Sequence, residues 1–315
     1  MEGLVIFNKP PRKTSTEITN FFKKLTNKKV GHGGTLDPLA QGLLIIGIGE
    51  GTKELTRFLK ESKKTYLAEI VLGAVSDTYD AEGKIIETRK PIPEFLEIEK
   101  VLKSFIGEIE QVPPPYSAIK IKGKRASDLV REGKKVELKP RKVKIYDIKI
   151  LETRIGTNNY NSCNNLQNFT TIKIETEVSS GTYIRSLAHD LGQKLGCGAY
   201  LNNLIRTKIN EYSLEEALTF EDIEKDYLEF LAKIYGRVQG VGFRFFVEAL
   251  ANKLQIFGYA KNLADGTVEV LAQGKEKNLQ ILLNNLKIGP KLAKVEKIDI
   301  VFRKPLKYFY DFRIY

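Results

Sequence analysis

The chain has 315 residues, of which 42% are hydrophobic and 29% charged, a balance that suits about two globular domains. No apolar run is long enough to cross a bilayer, and Met1-Glu2-Gly3-Leu4-Val5-Ile6-Phe7 lacks a basic segment ahead of an apolar one, so it reads as a first strand and not as a secretion signal. Two cysteines in unrelated contexts (Cys163 and Cys197) and two histidines cannot form a zinc cluster at a recognised spacing, which points to a reducing cytoplasm, while the net charge of +12 suggests a polyanionic partner.

In chain order, Thr14-Ser15-Thr16-Glu17 is a capping box, and Ile18, Phe21, Phe22 and Leu25 follow it at helical spacing. The string Gly31-His32-Gly33-Gly34-Thr35-Leu36-Asp37-Pro38 has glycines that let the chain turn and approach a ligand, and Pro38 biases Asp37 to an extended backbone that can present its carboxylate to a cleft. Residues 65–73 alternate as a strand does, and Ile98, Val101, Leu102 and Phe105 mark a second amphipathic helix. Residues 120–144 hold eleven Lys or Arg against three acids, a density that suits phosphate contacts. Residues 143–151 and 171–178 read as strands, and the Asn-rich stretch 156–170 between them as a mobile hairpin loop.

After Gly181-Thr182, the residues Ile184, Leu187, Ala188, Leu191 and Leu195 predict a helix that Gly196 ends. The acidic stretch 214–231 reads as helical. From Lys233 a compact pattern of strand, Gly-rich loop, helix, strands, helix and strand begins. A domain boundary is therefore expected at 232, giving domains 1–232 and 233–315; the second carries fifteen bases against seven acids, or +8.

The Asp37 string closely resembles the catalytic motif of the TruB family of pseudouridine synthases. Further motifs of that family follow in order: Asn8-Lys9-Pro10; Lys64-Thr65-Tyr66; Asp77-Thr78-Tyr79-Asp80; Gln111 through Lys120; Gly181-Thr182-Tyr183-Ile184-Arg185; and Leu204-Ile205-Arg206-Thr207. The resemblance covers roughly residues 1–230. It implies an α+β fold with a mixed, mostly antiparallel sheet flanked by helices, and conversion of a T-loop uridine of tRNA (position 55) to pseudouridine. That reaction is redox-neutral and needs no cofactor or metal. By the same resemblance Asp37 is the nucleophile, with three routes open to it: attack on the ribose carbon, attack on the base at C6, or proton abstraction to a glycal. Arg185 is implied as its counter-charge, Tyr66 as the ring stacked on the target base and a candidate for the base that abstracts the proton, and Leu204 as an apolar floor. Lys9 and Pro10 shore up the tyrosine, and Tyr183 and His32 contact the substrate, a uridine that must be flipped from its stack. Two departures stand out. Gly33 replaces the family's usual Thr, and the PUA RNA-binding domain usual at the family's C-terminus is not evident.

Residues 233–315 carry a second resemblance. The Gly-rich loop Gly236-Arg237-Val238-Gln239-Gly240-Val241-Gly242, leading into Phe243-Arg244, turns several backbone N–H groups towards one point, as an anion site requires. It closely matches the phosphate loop of acylphosphatases, and Gly258 through Asn262, Asp265 through Glu269, Gly289-Pro290 and the tail 310–315 match elsewhere in that family. The implied fold is a ferredoxin-like α/β sandwich, with Arg244 binding the phosphoryl group and Asn262 positioning the attacking water.

Three readings of this second domain remain: acyl-phosphate hydrolysis, favoured because Arg244 and Asn262 are both present; an RNA-binding appendage; and an inert passenger. For the whole chain, the leading reading is a cytoplasmic tRNA pseudouridine synthase without cofactor, membrane or obligatory protein partner. The alternatives are a tRNA-binding and remodelling protein with incidental catalysis, and an acylphosphatase recruited to RNA.

Overall fold

The computed structural model describes the chain except at residues 61, 118, 122, 135, 157–168 and 306, so Cys163 and the hairpin loop expected over 156–170 lie outside the described residues apart from the loop's strand ends. The strands are β1 (Gly3–Lys9), β2 (Val30–His32), β3 (Gln41–Ile48), β4 (Lys63–Leu72), β5 (Ala74–Ser76), β6 (Ile85–Glu87), β7 (Gly107–Gln111), β8 (Lys120–Ile121), β9 (Lys124–Arg125), β10 (Arg141–Gly156), β11 (Phe169–Ser179), β12 (Ala199–Ile209), β13 (Tyr212–Ser213), β14 (Leu228–Arg237), β15 (Phe257–Asn262), β16 (Val268–Gly274), β17 (Lys294–Arg303) and β18 (Phe312–Ile314). The helices are α1 (Ser15–Thr26), α2 (Leu55–Lys60), α3 (Phe95–Lys103), α4 (Ala126–Arg131), α5 (Ile184–Lys194), α6 (Phe220–Glu224), α7 (Phe243–Lys253) and α8 (Glu276–Leu286).

The chain divides into two compact units that do not follow one another in sequence: Met1–Pro38, Gly42–Leu59 and Glu211–Tyr315 form one, and Leu39–Gln41 with Lys60–Asn210 the other. The residue 232 at which the sequence suggests a boundary lies within β14.

In the first unit the sheet order is β2-β3-β1-β17-β14-β16-β15-β18. The β14-α7-β15-β16-α8-β17 order with sheet sequence β17-β14-β16-β15 is the ferredoxin-like sandwich, α7 and α8 packing on one side and β18 running parallel beside β15. β1 extends this sheet: it pairs parallel with β17 (Leu4↔Val301, Val5↔Phe302) and antiparallel with β3 along its whole length. A single cluster of buried side chains accordingly runs from Val5, Phe7, Phe22 and Ile46 to Phe230, Val247, Leu282 and Phe302. Each such side chain contributes roughly 1.5–3 kcal/mol by leaving water.

α1 starts as its sequence predicts. The Thr14 hydroxyl accepts from the Glu17 amide (3.1 Å) and the Glu17 carboxylate accepts from the Thr14 amide (2.8 Å), satisfying donors that a helix start leaves open. Its apolar face puts Phe22 edge-on to Phe7 at 5.3 Å. The helix expected over 214–231 does not form. The structure has instead a single 3-10 turn at Leu214–Glu216, the five-residue α6, and then β14 from Leu228. Here pairing with β16 and β17 outweighs the local helical preference of the acidic residues.

The second unit is an antiparallel sheet in the order β12-β4-β11-β10-β7, with α5 against β12 and β4, and α3 against α5 and β10. The two units together give the α+β class expected from the sequence, a mixed and mostly antiparallel sheet with flanking helices.

Candidate active sites

In the first unit Asp37 sits, partly exposed, in the irregular segment between β2 and β3. The residues on either side of it are fastened through main-chain atoms to the segment that leads from β1 into α1. On one side, the buried Ser15 hydroxyl donates to the Leu36 carbonyl (3.1 Å) and accepts from the Leu36 amide (3.0 Å). On the other, the Pro38 carbonyl accepts from the Arg12 amide (2.8 Å) and from Lys9 Nζ (3.4 Å).

Lys9 is fully buried at the end of β1, and its ammonium also donates to the carbonyls of Lys13 (2.6 Å) and Pro10 (3.0 Å), which offset part of the cost of burying the charge. His32 ends β2 opposite Ile46, half-buried. Beside it, a Cβ on Gly33 would lie 2.9 Å from the Phe58 Cβ; this sequence has closed the space the family's threonine would occupy.

In the second unit Tyr66 is buried on β4, with Thr176 of β11 and Arg206 of β12 as its register partners, and Leu204 lies along β12 opposite Ala68. Two buried cations near them were given no role by the sequence reading. Arg206 is 1% exposed. Lys64 donates to Ser180 Oγ at 2.7 Å, and burial, helped by the Arg206 charge, pushes its ammonium down to about 8.

Tyr183 precedes α5, and its peptide is held at both ends by the buried Gln111 side chain: the Tyr183 amide donates to Oε1 (2.8 Å) and Nε2 donates to the Tyr183 carbonyl (3.0 Å). That contact sets Arg185 in the first turn. Arg185 forms an ion pair with Asp80 (3.2 Å) and donates to the carbonyls of Thr78 (3.1 Å) and Tyr116 (3.2 Å). Asp80 in turn accepts from Thr78 Oγ1 (2.6 Å) and the Glu82 amide (3.0 Å). Asp80 was quoted within a motif but missed as a functional partner; a buried arginine calls for a carboxylate, and that requirement was the available signal.

The Gly-rich loop of the ferredoxin-like sandwich joins β14 to α7. Gly240 and Gly242 take left-handed backbone (φ 70° and 75°), which lets the loop fold back on the start of α7, with Val238 and Val241 buried beneath and Arg237 exposed. Gln239 Nε2 ties the loop to the carbonyls of Leu263 (2.9 Å) and Thr267 (2.8 Å). The Arg244 guanidinium and the Asn262 backbone N–H both donate to the main-chain oxygen of Tyr315, so the side chain of one expected residue and the main chain of the other meet around one oxygen.

Residues 23–184 match the profile described as "TruB family pseudouridylate synthase (N terminal domain)", which is half of the chain. The chain belongs to the TruB family. Residues 185–234 match the tRNA pseudouridylate synthase B C-terminal domain, and residues 231–314 match acylphosphatase, so the two profiles overlap within β14. Among relatives, the tRNA pseudouridine synthase B of Aquifex aeolicus is 46% identical over 70% of this chain and 73% of its own, and that of Clostridium acetobutylicum 43% identical over 71% and 73%. A Cbf5-Nop10-Gar1 complex shares the fold, with a TM-score of 0.51 at 23% identity over 94% of this chain and 84% of that one. As a member of this family the chain is a pseudouridine synthase, fused to an acylphosphatase domain. No helix among the described residues is long and apolar enough to cross a membrane.

Proposed function

We propose that this protein isomerises uridine to pseudouridine in the T-loop of tRNA, with Asp37 as the nucleophile. The reaction breaks the bond between C1′ and N1, forms one between C1′ and C5, removes the proton from C5 and gives one to N1. It is redox-neutral and needs a placed carboxylate more than a cofactor. The observation that carries the reading is the tethering of the residues on both sides of Asp37, Leu36 and Pro38, through their main-chain atoms, which holds a partly exposed carboxylate inside the segment that matches the family. In this reading Tyr66 and Leu204 receive the base, Arg185 supplies positive charge, and Lys9, His32 and Tyr183 support or contact the substrate. The basic stretch 120–144 grips phosphates. The curated relatives are named as tRNA enzymes, which supports tRNA as the substrate here.

A second activity is favoured by the Gly-rich loop. The Arg244 guanidinium and the Asn262 backbone N–H already converge on one oxygen atom, and a phosphoryl oxygen can accept from such a pair of donors. The loop Arg237-Val238-Gln239-Gly240-Val241-Gly242 then binds the acyl phosphate. Asn262 orients a water that attacks phosphorus as the acyl carboxylate leaves.

One experiment tests both readings. Wild type, Asp37→Ala and Arg244→Ala are each incubated with unmodified tRNA and, separately, with benzoyl phosphate. Asp37→Ala should lose pseudouridine formation by about 10⁴-fold or more and hydrolyse benzoyl phosphate normally; Arg244→Ala should do the reverse. Pseudouridine at wild-type rate from Asp37→Ala removes the first reading, and hydrolysis by Arg244→Ala at wild-type rate removes the second.

A further inference from the structure

Ser15 occupies the first position of α1, yet its hydroxyl does nothing for the helix. Thr14 and Glu17 already close the capping box, so the adjacent hydroxyl is available for another partner. It takes the peptide of Leu36, donating to the carbonyl at 3.1 Å and accepting from the amide at 3.0 Å, in a setting where Ser15 is 2% exposed and Leu36 3%. A single short side chain thus satisfies both backbone polar groups of a buried residue, and that residue immediately precedes Asp37.

The anchor behind the hydroxyl is rigid. α1 is pinned through the buried Ile18 and through Phe22 against Phe7. On the far side of Asp37, the Pro38 carbonyl is held by the Arg12 amide and by Lys9 Nζ. With Leu36 and the Pro38 carbonyl both held, the main chain at Asp37 is restrained from both sides, and its carboxylate turns on two side-chain torsions.

We propose that Ser15 is a positioning residue for the isomerisation, its hydroxyl fixing the Leu36 peptide and so aiming the Asp37 carboxylate at the target nucleotide. The proposal rests on Asp37 being the nucleophile. Serine suits the task because the site needs a donor and an acceptor on one short arm. Alanine offers neither, and threonine keeps both. Without the hydroxyl, a buried N–H and C=O lose their partner, and the segment must shift to find others. A displacement of about 1 Å in a reacting group is enough to cost about 100-fold in rate, while leaving the contacts that bind the rest of the RNA in place. The expected signature is therefore a defect in the chemical step and not in tRNA affinity.

The test measures three quantities for wild type, Ser15→Ala, Ser15→Thr and Ser15→Cys: the single-turnover rate of pseudouridine formation at saturating enzyme, the Kd for unmodified tRNA by filter binding, and the melting temperature. Ser15→Ala should lower the single-turnover rate by about 10- to 100-fold with Kd within about twofold of wild type, and Ser15→Thr should restore most of the rate. Ser15→Cys keeps the size but bonds weakly, and should fall between them; it also serves if Ser15→Ala does not fold. A wild-type rate in folded Ser15→Ala or Ser15→Cys overturns the proposal, as does a rate loss that threonine fails to restore or that follows Kd in parallel. Asp37→Asn is run alongside. If it reacts at wild-type rate, the nucleophile reading has failed whatever Ser15 does. If it is inert while Ser15→Ala is unimpaired, only the positioning role has failed.

Discussion

The ion pair of Arg185 and Asp80 shows what a single charged side chain can organise. Their side chains are 6% and 2% exposed, and the guanidinium also holds the Thr78 carbonyl of the same motif as Asp80 and the Tyr116 carbonyl of another. Removing one member of such a pair leaves the other charge buried and uncompensated, at a cost of about 3–5 kcal/mol. Asp80→Ala should therefore lose about that much in urea unfolding; a loss under about 1 kcal/mol would mean that Arg185 finds another partner or water. At this scale the sequence was legible in part. Motif order singled out Arg185 and the Asp-Thr-Tyr-Asp string, but nothing local said that they meet, because the two lie far apart in the chain. Gly33 is similar: the departure from threonine was plain in the sequence, while its cause, the Phe58 side chain, is a tertiary contact.

Among the elements, α5 repeats this grip one turn further on. His189, one turn after Arg185, stacks flat on Tyr79 with ring centroids 3.8 Å apart and planes 9° from parallel, so two side chains on one helical face clasp the loop from Thr78 to Asp80. Tyr79 itself has left-handed backbone (φ 66°), which this clasp helps to hold. Burial pushes the His189 imidazole below its ordinary value of 6.5, so the fold favours the neutral ring. The unfolded chain then binds the proton more readily. The stability this contributes is present above pH 6.5 and is lost as pH falls from there through the depressed folded value. Melting temperature should drop between about pH 7 and 5, and His189→Phe, which keeps a flat ring without the titration, should show a shallower drop; equal slopes would remove His189 as the cause. Helix starts with a cap, such as α1, were readable because the signal is local. The 214–231 segment was not, because its end is claimed by strand pairing with residues that come later in the chain.

For the whole molecule, the significant feature is that both ends of the chain lie in one unit. The Met1 ammonium pairs with Glu276 at 3.0 Å, Arg303 bridges Glu216 and Glu229 at 2.6 Å each, and Glu2 accepts from Lys28 and Lys287 at 2.9 Å each. Burial pushes the Glu2 carboxyl up, but hydrogen bonds from the two lysines outweigh it and bring it down to about 2. This contribution is therefore present at neutral pH and lost as pH falls from the usual carboxylate range towards 2. The acylphosphatase domain is structural here, because its strand β17 pairs with β1 and its core is continuous with that of β1 and β3. A chain cut after Ala232 would lose half of β14 and all of β16 and β17, exposing Val5, Phe7 and Ile46. It should fail to give a cooperative melt by circular dichroism, whereas the intact chain melts cooperatively; a truncated chain that melts at the same temperature would show that the two parts fold separately. Composition and motif order made both family resemblances readable. The parallel pairing of β1 with β17 left no such trace, since it joins residues near opposite ends of the chain and neither strand's pattern names its neighbour.

That pairing also bears on solubility. A detached ferredoxin-like sandwich would leave the outer rim of β17 as a row of unspent amides and carbonyls, a template on which another polypeptide can add itself. Here β1 is laid against that rim at Val301 and Phe302, and β3 continues beyond it. The fusion thus carries a built-in stopper against ribbon-like self-association, supplied by a strand far away in the same chain.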